Sequence, residues 1–146
     1  MSTAHSVFPH AGWEMVYDLR AAVRDGDVDA VSALVGQVDV EQARQLGMMA
    51  PTLLAQYTGA HPLPETIRLT ARTLHRHLAR FDTRHALTVN HVVDILAPLL
   101  AGNPLPDWVD RPVILATLVG FLMPDGAAED RLRDDLEPVW ARAMES

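Results

Sequence analysis

Arginines recur at every fourth position of one predicted helix, residues 65–82, where their guanidinium groups could bind an anionic partner. The series is Arg68, Arg72, Arg76 and Arg80, with Arg84 next if the helix extends that far. Each step of four residues advances about 40° beyond a full turn, so the five side chains would spread over about 160° of one face. Guanidinium groups bind oxyanions through paired hydrogen bonds. The series therefore predicts a surface for phosphates, carboxylates or the acidic surface of a protein partner.

The positive charge of the chain is concentrated in this segment. The 146 residues contain 12 basic and 19 acidic side chains, a formal charge of −7, and every basic residue is arginine. Residues 66–85 hold five arginines and one acid, Asp82, so their local charge is +4 and the remainder sums to −11. Besides a partner surface, the series could be a solvated face or one neutralised by acids of the C-terminal helix: Glu129, Asp130, Asp134, Asp135 and Glu137.

A histidine and a carboxylate form the second candidate site. His91 and Asp94 lie three residues apart in the fifth predicted helix, with Asn90 beside them. A histidine oriented by a carboxylate is the minimum requirement for a general base. These residues are therefore the candidate polar groups of a small-molecule or catalytic site, although the same spacing is more often a surface hydrogen bond.

The residue types missing from the chain exclude several chemistries. There is no cysteine and no lysine, which excludes disulfides, zinc–thiolate sites, a thiol nucleophile and a Schiff-base or P-loop lysine. His75 and His77 would lie about 200° apart on a helix, and neither His-x-x-x-His nor Glu-x-x-His occurs in a helical segment. We therefore predict no metal and no cofactor, and these absences favour a protein that is not an enzyme.

The elements that must position these residues are helices. In nearly every segment the apolar residues recur at the helical period. No segment shows the alternation of apolar and polar residues that is typical of a strand, so the sequence predicts an all-α fold. Asp27, Asp39 and Thr88 are expected N-caps. We predict a kink or break near residues 47–50 at Pro51, and a bend or split at Pro138. The expected helices cover 13–24, 28–35, 40–57, 65–82, a segment from 89, 110–122 and a last helix packed through Leu132, Leu136, Val139, Trp140 and Ala143.

Two architectures fit this pattern within a single domain over residues 1–146, of which 1–12 form a loose N-terminal segment. An Ala-Pro helix end followed by a Pro-Leu-Pro turn occurs at residues 50–64 and again at 97–106. An offset of about 40–47 residues is typical of HEAT-like stacked helical hairpins. The alternative is an irregular bundle of six to seven helices. Residues 113–123 are apolar nearly all round, so they lie at the centre of the fold or against another subunit.

The predicted function is a small protein-interaction module, of the adaptor, chaperone-like or immunity type, that docks a protein partner with an acidic surface through the arginine series. Homo-oligomerisation stays open. The alternatives are a small-molecule site or enzyme using His91 and Asp94, and nucleic-acid binding through the fourth helix, which the net charge of −7 disfavours. The longest apolar stretch is far shorter than the about 20 residues of a membrane span, so we predict a cytoplasmic protein without membrane contact.

Overall fold

Seven α-helices and no strand make up the part of the chain that the structure describes, which confirms the all-α class. The structure is a computed structural model that describes the backbone of residues 10–145 and the side chains of residues 13–138. The helices are α1 (His10–Asp25), α2 (Val28–Gly36), α3 (Val40–Thr58), α4 (Pro64–Phe81), α5 (Val89–Ala101), α6 (Arg111–Leu122) and α7 (Gly126–Glu145). Helix α1 begins at His10 rather than at residue 13, and residues 1–9 of the predicted loose segment lie outside the described residues.

The starts of α2, α3 and α5 are defined by the capping residues that the sequence indicated. The side chain of Asp27 accepts a hydrogen bond from the Ala30 amide at the start of α2. Asp39 forms a capping box at the start of α3, and Thr88 forms one at the start of α5. Each cap satisfies a backbone N–H that has no acceptor within its own helix. The turn between α1 and α2 uses Gly26 at a φ of +68°, a conformation that side chains with a Cβ rarely adopt.

The three internal prolines do not divide their helices. Pro51 lies inside α3, Pro98 inside α5 and Pro138 inside α7, and each helix continues as a single element. A break at Pro51 and a split at Pro138 are therefore wrong, whereas the alternatives, a kink at Pro51 and a bend at Pro138, stay predictions. Each proline removes one backbone hydrogen bond, and packing and the remaining bonds keep the helix intact. Leu132 and Leu136 are buried as predicted, whereas the expected packing of Val139, Trp140 and Ala143 falls outside the described side chains.

Helix α6 is the centre of the bundle. All residues from Ile114 to Gly120 are buried, and α6 packs against α1, α2, α3 and α4. The contact between α1 and α6 is the most extensive of all helix pairs. A linear stack of helical hairpins brings only neighbouring units together, so this contact between the first and sixth helices identifies an irregular bundle rather than a HEAT-like stack.

Charged side chains join the start of α7 to α1. Arg20 Nη1 lies 2.6 Å from Glu129 Oε1 and 3.0 Å from Asp125 Oδ1, and Arg24 Nη1 lies 2.6 Å from Asp125 Oδ2. The hydrogen bond from Arg24 lowers the pKa of Asp125, and the charges of Arg24 and Arg20 add to this effect. One turn further along α7, Arg133 Nη1 donates a 3.0 Å hydrogen bond to the Tyr17 hydroxyl. The acidic start of α7 is therefore paired with arginines of α1.

Candidate functional site

Helix α4 presents its arginines to solvent. Its buried side, which includes Ala71, Leu74 and Leu78, packs into the core. The opposite side carries four arginines that are all exposed. We call this surface the arginine face; it consists of Arg68, Arg72, Arg76 and Arg80.

Within the described residues, no side chain of the arginine face forms an ion pair. No described acid of α7 forms an ion pair with the arginine face, and Glu129 pairs instead with Arg20 of α1. Like charges four residues apart on a helix repel one another by a few tenths of a kcal/mol per pair. The arginine face therefore concentrates positive charge, and no acidic side chain among residues 13–138 forms an ion pair with it.

The two C-terminal members of the series have other contacts. Helix α4 ends at Phe81, so Arg84 lies in the following loop rather than on the helix face, and its guanidinium lies 3.5 Å from Asp110 Oδ2. The guanidinium of Arg80 lies against the α1–α2 turn, where a Cβ added to Gly26 would be 2.6 Å from Arg80 Cζ. The freely projecting part of the series is therefore Arg68, Arg72 and Arg76.

An apolar side chain lies in the middle of the arginine face. Leu69 is 61% exposed, and Arg72 and Arg76 follow it by three and seven residues on the same side of the helix. The arginine face therefore combines positive charge with one apolar contact point.

The structure gives His91 and Asp94 different surroundings from those of a catalytic pair. His91 Nδ1 accepts a 3.0 Å hydrogen bond from the Thr88 amide and so completes the N-terminal capping box of α5. Asp94 lies exposed one turn further along the helix. His91 is oriented by the cap, and the spacing Thr88-x-x-His91 is the sequence signal that indicates this role.

A second histidine, His85, is oriented by a carboxylate, a pairing that the helical pattern did not predict. His85 Nδ1 lies 3.0 and 3.1 Å from the two carboxylate oxygens of Asp82. The Asp82 side chain is 0% exposed, and its Oδ1 also accepts the Arg84 amide at 3.1 Å. The spacing of three residues is visible in the sequence, but Asp82 and His85 lie in the loop between α4 and α5, where no helical period indicates which side chains meet.

His85 and His91 meet at a tryptophan from another loop. The indole of Trp108, between α5 and α6, has its ring centroid 5.7 Å from that of His85 and 5.2 Å from that of His91. The three rings line a surface cavity of about 250 Å³, completed by Ala86 and Leu87. We call this cavity the Trp108 pocket. The Leu87 carbonyl lies 2.7 Å from His75 Nε2 and is thereby linked to α4.

His77, on the flank of α4, provides a prediction about acid stability. Burial lowers the pKa of His77, whose ring stacks 4.2 Å from that of Phe121, and the charges of Arg76 and Arg80 lower it further. Below the ordinary pKa of 6.5 the unfolded chain binds a proton that the folded protein resists. We therefore expect the free energy of unfolding to fall as the pH drops from 7 to 5, and to fall less in His77→Gln, as measured by urea denaturation. Parallel pH profiles for the two proteins would contradict this assignment.

The described residues contain no group of three or more histidine or acidic side chains arranged to hold a metal ion. None of the helices in that part of the chain is long and apolar enough to cross a membrane. No protein-family model, curated protein or solved structure matches this chain.

Proposed function

We propose that this protein is an interaction module whose arginine face docks the acidic surface of a protein partner. The observation that carries the proposal is that Arg68, Arg72 and Arg76 form no ion pair within the described residues, whereas Arg20 and Arg24 of α1 are paired with Glu129 and Asp125. Arginine is enriched in protein interfaces because its planar group forms paired hydrogen bonds and stacks on flat surfaces. Leu69 supplies an apolar contact within the same surface.

An acidic protein surface suits this face better than a nucleic acid does. The face is one helix wide, and the rest of the chain carries a strong negative charge that would repel a long polyanion. Aromatic side chains that could stack on bases are absent from the face itself. A folded partner needs only a local acidic patch with an apolar recess for Leu69. The remaining acidic surface then disfavours contact with the wrong region of that partner.

A photo-crosslinking amino acid placed at Leu69 tests this proposal. We expect irradiation of cells that produce this variant to join the protein to one main partner, because Leu69 projects from the docking surface. The matched control places the same group at Val40, which is 76% exposed at the start of α3 and outside the arginine face. The adduct should form from position 69 alone and should decrease when salt is added to extracts before irradiation.

Three outcomes would contradict the proposal. Equal adduct formation from positions 40 and 69 would show nonspecific contact. An adduct that nuclease treatment destroys would identify a nucleic acid, and an adduct of twice the chain mass would identify a second copy whose exposed α7 acids occupy the face. The mass and composition of the adduct, determined by mass spectrometry, distinguish these cases.

A further inference from the structure

Three aromatic rings form the walls of the Trp108 pocket. The plane of the Trp108 indole is inclined by 66° to that of His85 and by 60° to that of His91, and the ring centroids lie 5.7 and 5.2 Å apart. The indole is 37% exposed, so a ligand can reach it from solvent. A cation is attracted to the face of an aromatic ring within about 6 Å of its centroid, and indole is the most effective ring. The walls of the pocket therefore suit an organic cation.

The acidic side chains around the pocket outnumber the basic ones. The aspartate and arginine side chains on the surrounding segments are Asp82 and Arg84 in the loop after α4, Asp94 on α5, and Asp107 and Asp110 in the loop that contains Trp108. Four carboxylates stand against one guanidinium. The resulting negative potential favours a cation over an anion.

Part of this negative charge is offset within the protein. The Asp82 side chain is 0% exposed and faces His85 Nδ1 at 3.0 Å. Asp110 Oδ2 lies 3.5 Å from the Arg84 guanidinium. The charge that can act on a ligand therefore comes mainly from the other two carboxylates.

These two carboxylates, of Asp94 and Asp107, are exposed. Asp94 follows His91 by three residues on the same side of α5, and Asp107 directly precedes Trp108. Neither forms an ion pair within the described residues. Exposed charges act over about 8 Å at physiological salt, and one residue or one helical turn is a shorter distance than this. Both carboxylates therefore attract a cation to the pocket.

The neighbouring basic side chains are engaged elsewhere. Arg80 lies against the α1–α2 turn, and Arg111 lies against α3, where a Cβ added to Gly47 would be 3.1 Å from Arg111 Nη2. His75 Nε2 lies 2.7 Å from the Leu87 carbonyl oxygen, inside the wall of the pocket. These contacts hold the three side chains against other atoms of the protein.

We propose that the Trp108 pocket binds a small quaternary ammonium compound. The trimethylammonium group packs on the indole, and the exposed carboxylates of Asp94 and Asp107 balance its charge through solvent. Such a group donates no hydrogen bond, so its methyl groups fit beside the apolar side chains of Ala86 and Leu87, which complete the pocket. A metal ion would need several ligating side chains, and the described residues contain no group of three or more that could hold one.

The size of the pocket suits a cationic head group rather than a large ligand. Ligand pockets usually measure about 300–1,000 Å³, and this one, at about 250 Å³, lies just below that range. A ligand of this size buries little surface, so we expect a dissociation constant of about 1 mM. The site uses no residue of the arginine face and is independent of the proposed docking function.

The test titrates the full-length protein with choline and follows the indole N–H signal of Trp108 by NMR, with the ionic strength kept constant by sodium chloride. The first matched ligand is the carbon analogue of choline, in which a tert-butyl group replaces the trimethylammonium group and the charge is lost. The second is ethanolamine, which keeps the charge but lacks the methyl groups. We expect choline to bind about tenfold more tightly than either, because only choline combines an apolar surface with a positive charge.

Replacement of Trp108 tests the aromatic wall. Trp108→Leu keeps an apolar side chain but has no ring, and its choline affinity, followed through the amide signals of Ala86 and Leu87, should fall about tenfold. Trp108→Phe restores a ring and should recover part of this affinity.

Replacement of the exposed carboxylates tests the role of charge. Asp94→Asn/Asp107→Asn should weaken choline binding about fivefold and leave the affinity for the carbon analogue unchanged. The matched control is Asp130→Asn/Asp134→Asn, which removes two exposed carboxylates from α7 and changes the net charge by the same amount. This control should bind choline as the unmodified protein does.

Several results would overturn the proposal. One is the absence of any shift of the Trp108 signal up to about 20 mM choline, far above the expected dissociation constant. Another is binding of the carbon analogue or ethanolamine as tight as that of choline. An equal loss of affinity in the two aspartate variants would mean that only the net charge of the chain matters, and this comparison holds even if Trp108→Leu fails to fold.

Discussion

The double variant Arg72→Glu/Arg76→Glu is expected to lose about a hundredfold in affinity for the partner identified by crosslinking, while its melting temperature stays the same or rises slightly. Each reversal replaces an attraction by a repulsion, and two such changes of about 1.4 kcal/mol each correspond to a hundredfold. The stability of the fold should not decrease, because neither side chain forms an ion pair within the described residues. The new acids would instead face Arg68 and Arg80 at favourable spacings of four residues.

The matched control is Arg20→Glu/Arg24→Glu, which changes the net charge by the same amount on α1. These arginines hold Glu129 and Asp125, so their reversal should destabilise the fold by about 2 kcal/mol, the scale of lost hydrogen bonds to charged groups. Partner binding by the molecules that remain folded should persist. Calorimetric melting and binding titrations on both variants separate the two roles. A sharp fall in melting temperature for the α4 variant, with binding intact, would mean that the arginine face stabilises the fold instead.

Gly120→Ala is expected to destabilise the protein by about 2–3 kcal/mol and to lower the melting temperature by about 10 °C. Gly120 lies in the middle of α6, where the helix meets α1. An added Cβ would be 2.8 Å from the backbone oxygen of Leu19 and 2.7 Å from Val23 Cγ2. The backbone of Leu19 cannot rotate away as a side-chain end can, so the two helices would have to separate. Alanine is favoured over glycine within a helix by about 1 kcal/mol, and the cost of separating the two helices exceeds this gain.

Gly36→Ala provides the control for this substitution. Gly36 is the last residue of α2, and a Cβ at this position would have no atom within 4 Å. The change should leave stability unchanged or raise it by less than about 1 kcal/mol. Thermal and urea unfolding of both variants measure the difference. Equal stability of the two variants would contradict the close approach of α6 to α1.

Much of the fold could be predicted from the sequence, because its signals act over a few residues. The caps at Asp27, Asp39 and Thr88 lie within three residues of the amides that they satisfy, and each predicts a helix start. The central position of α6 follows from its apolar composition all round, since only a helix surrounded by others can bury every side. The repeated Pro-Leu-Pro turn was misleading as an indication of HEAT-like stacking, because it reports where helices stop and not how they pack.

The arginine face was visible as a spacing, but its lack of ion pairs with the described acidic side chains was not. Acidic residues near the C-terminus were available to either α1 or α4, and no local pattern distinguishes these partners. The packed position of α7 places Glu129 beside Arg20, which is more than a hundred residues away in the chain. Pairing of distant charges is decided by the arrangement of whole helices, so it required the tertiary structure.

The sequence by itself determined an all-α protein with a cluster of arginines on one helix, because helical period and capping depend on neighbours within about four residues. The Trp108 pocket was decided by tertiary structure alone. Asp82 and His85 are close in the chain, but Trp108 lies far from them in sequence. Helix α5 packs along α4, and the loop that follows α5 brings Trp108 into contact with His85. Side chains separated by a whole helix meet through packing, which composition and spacing do not encode locally.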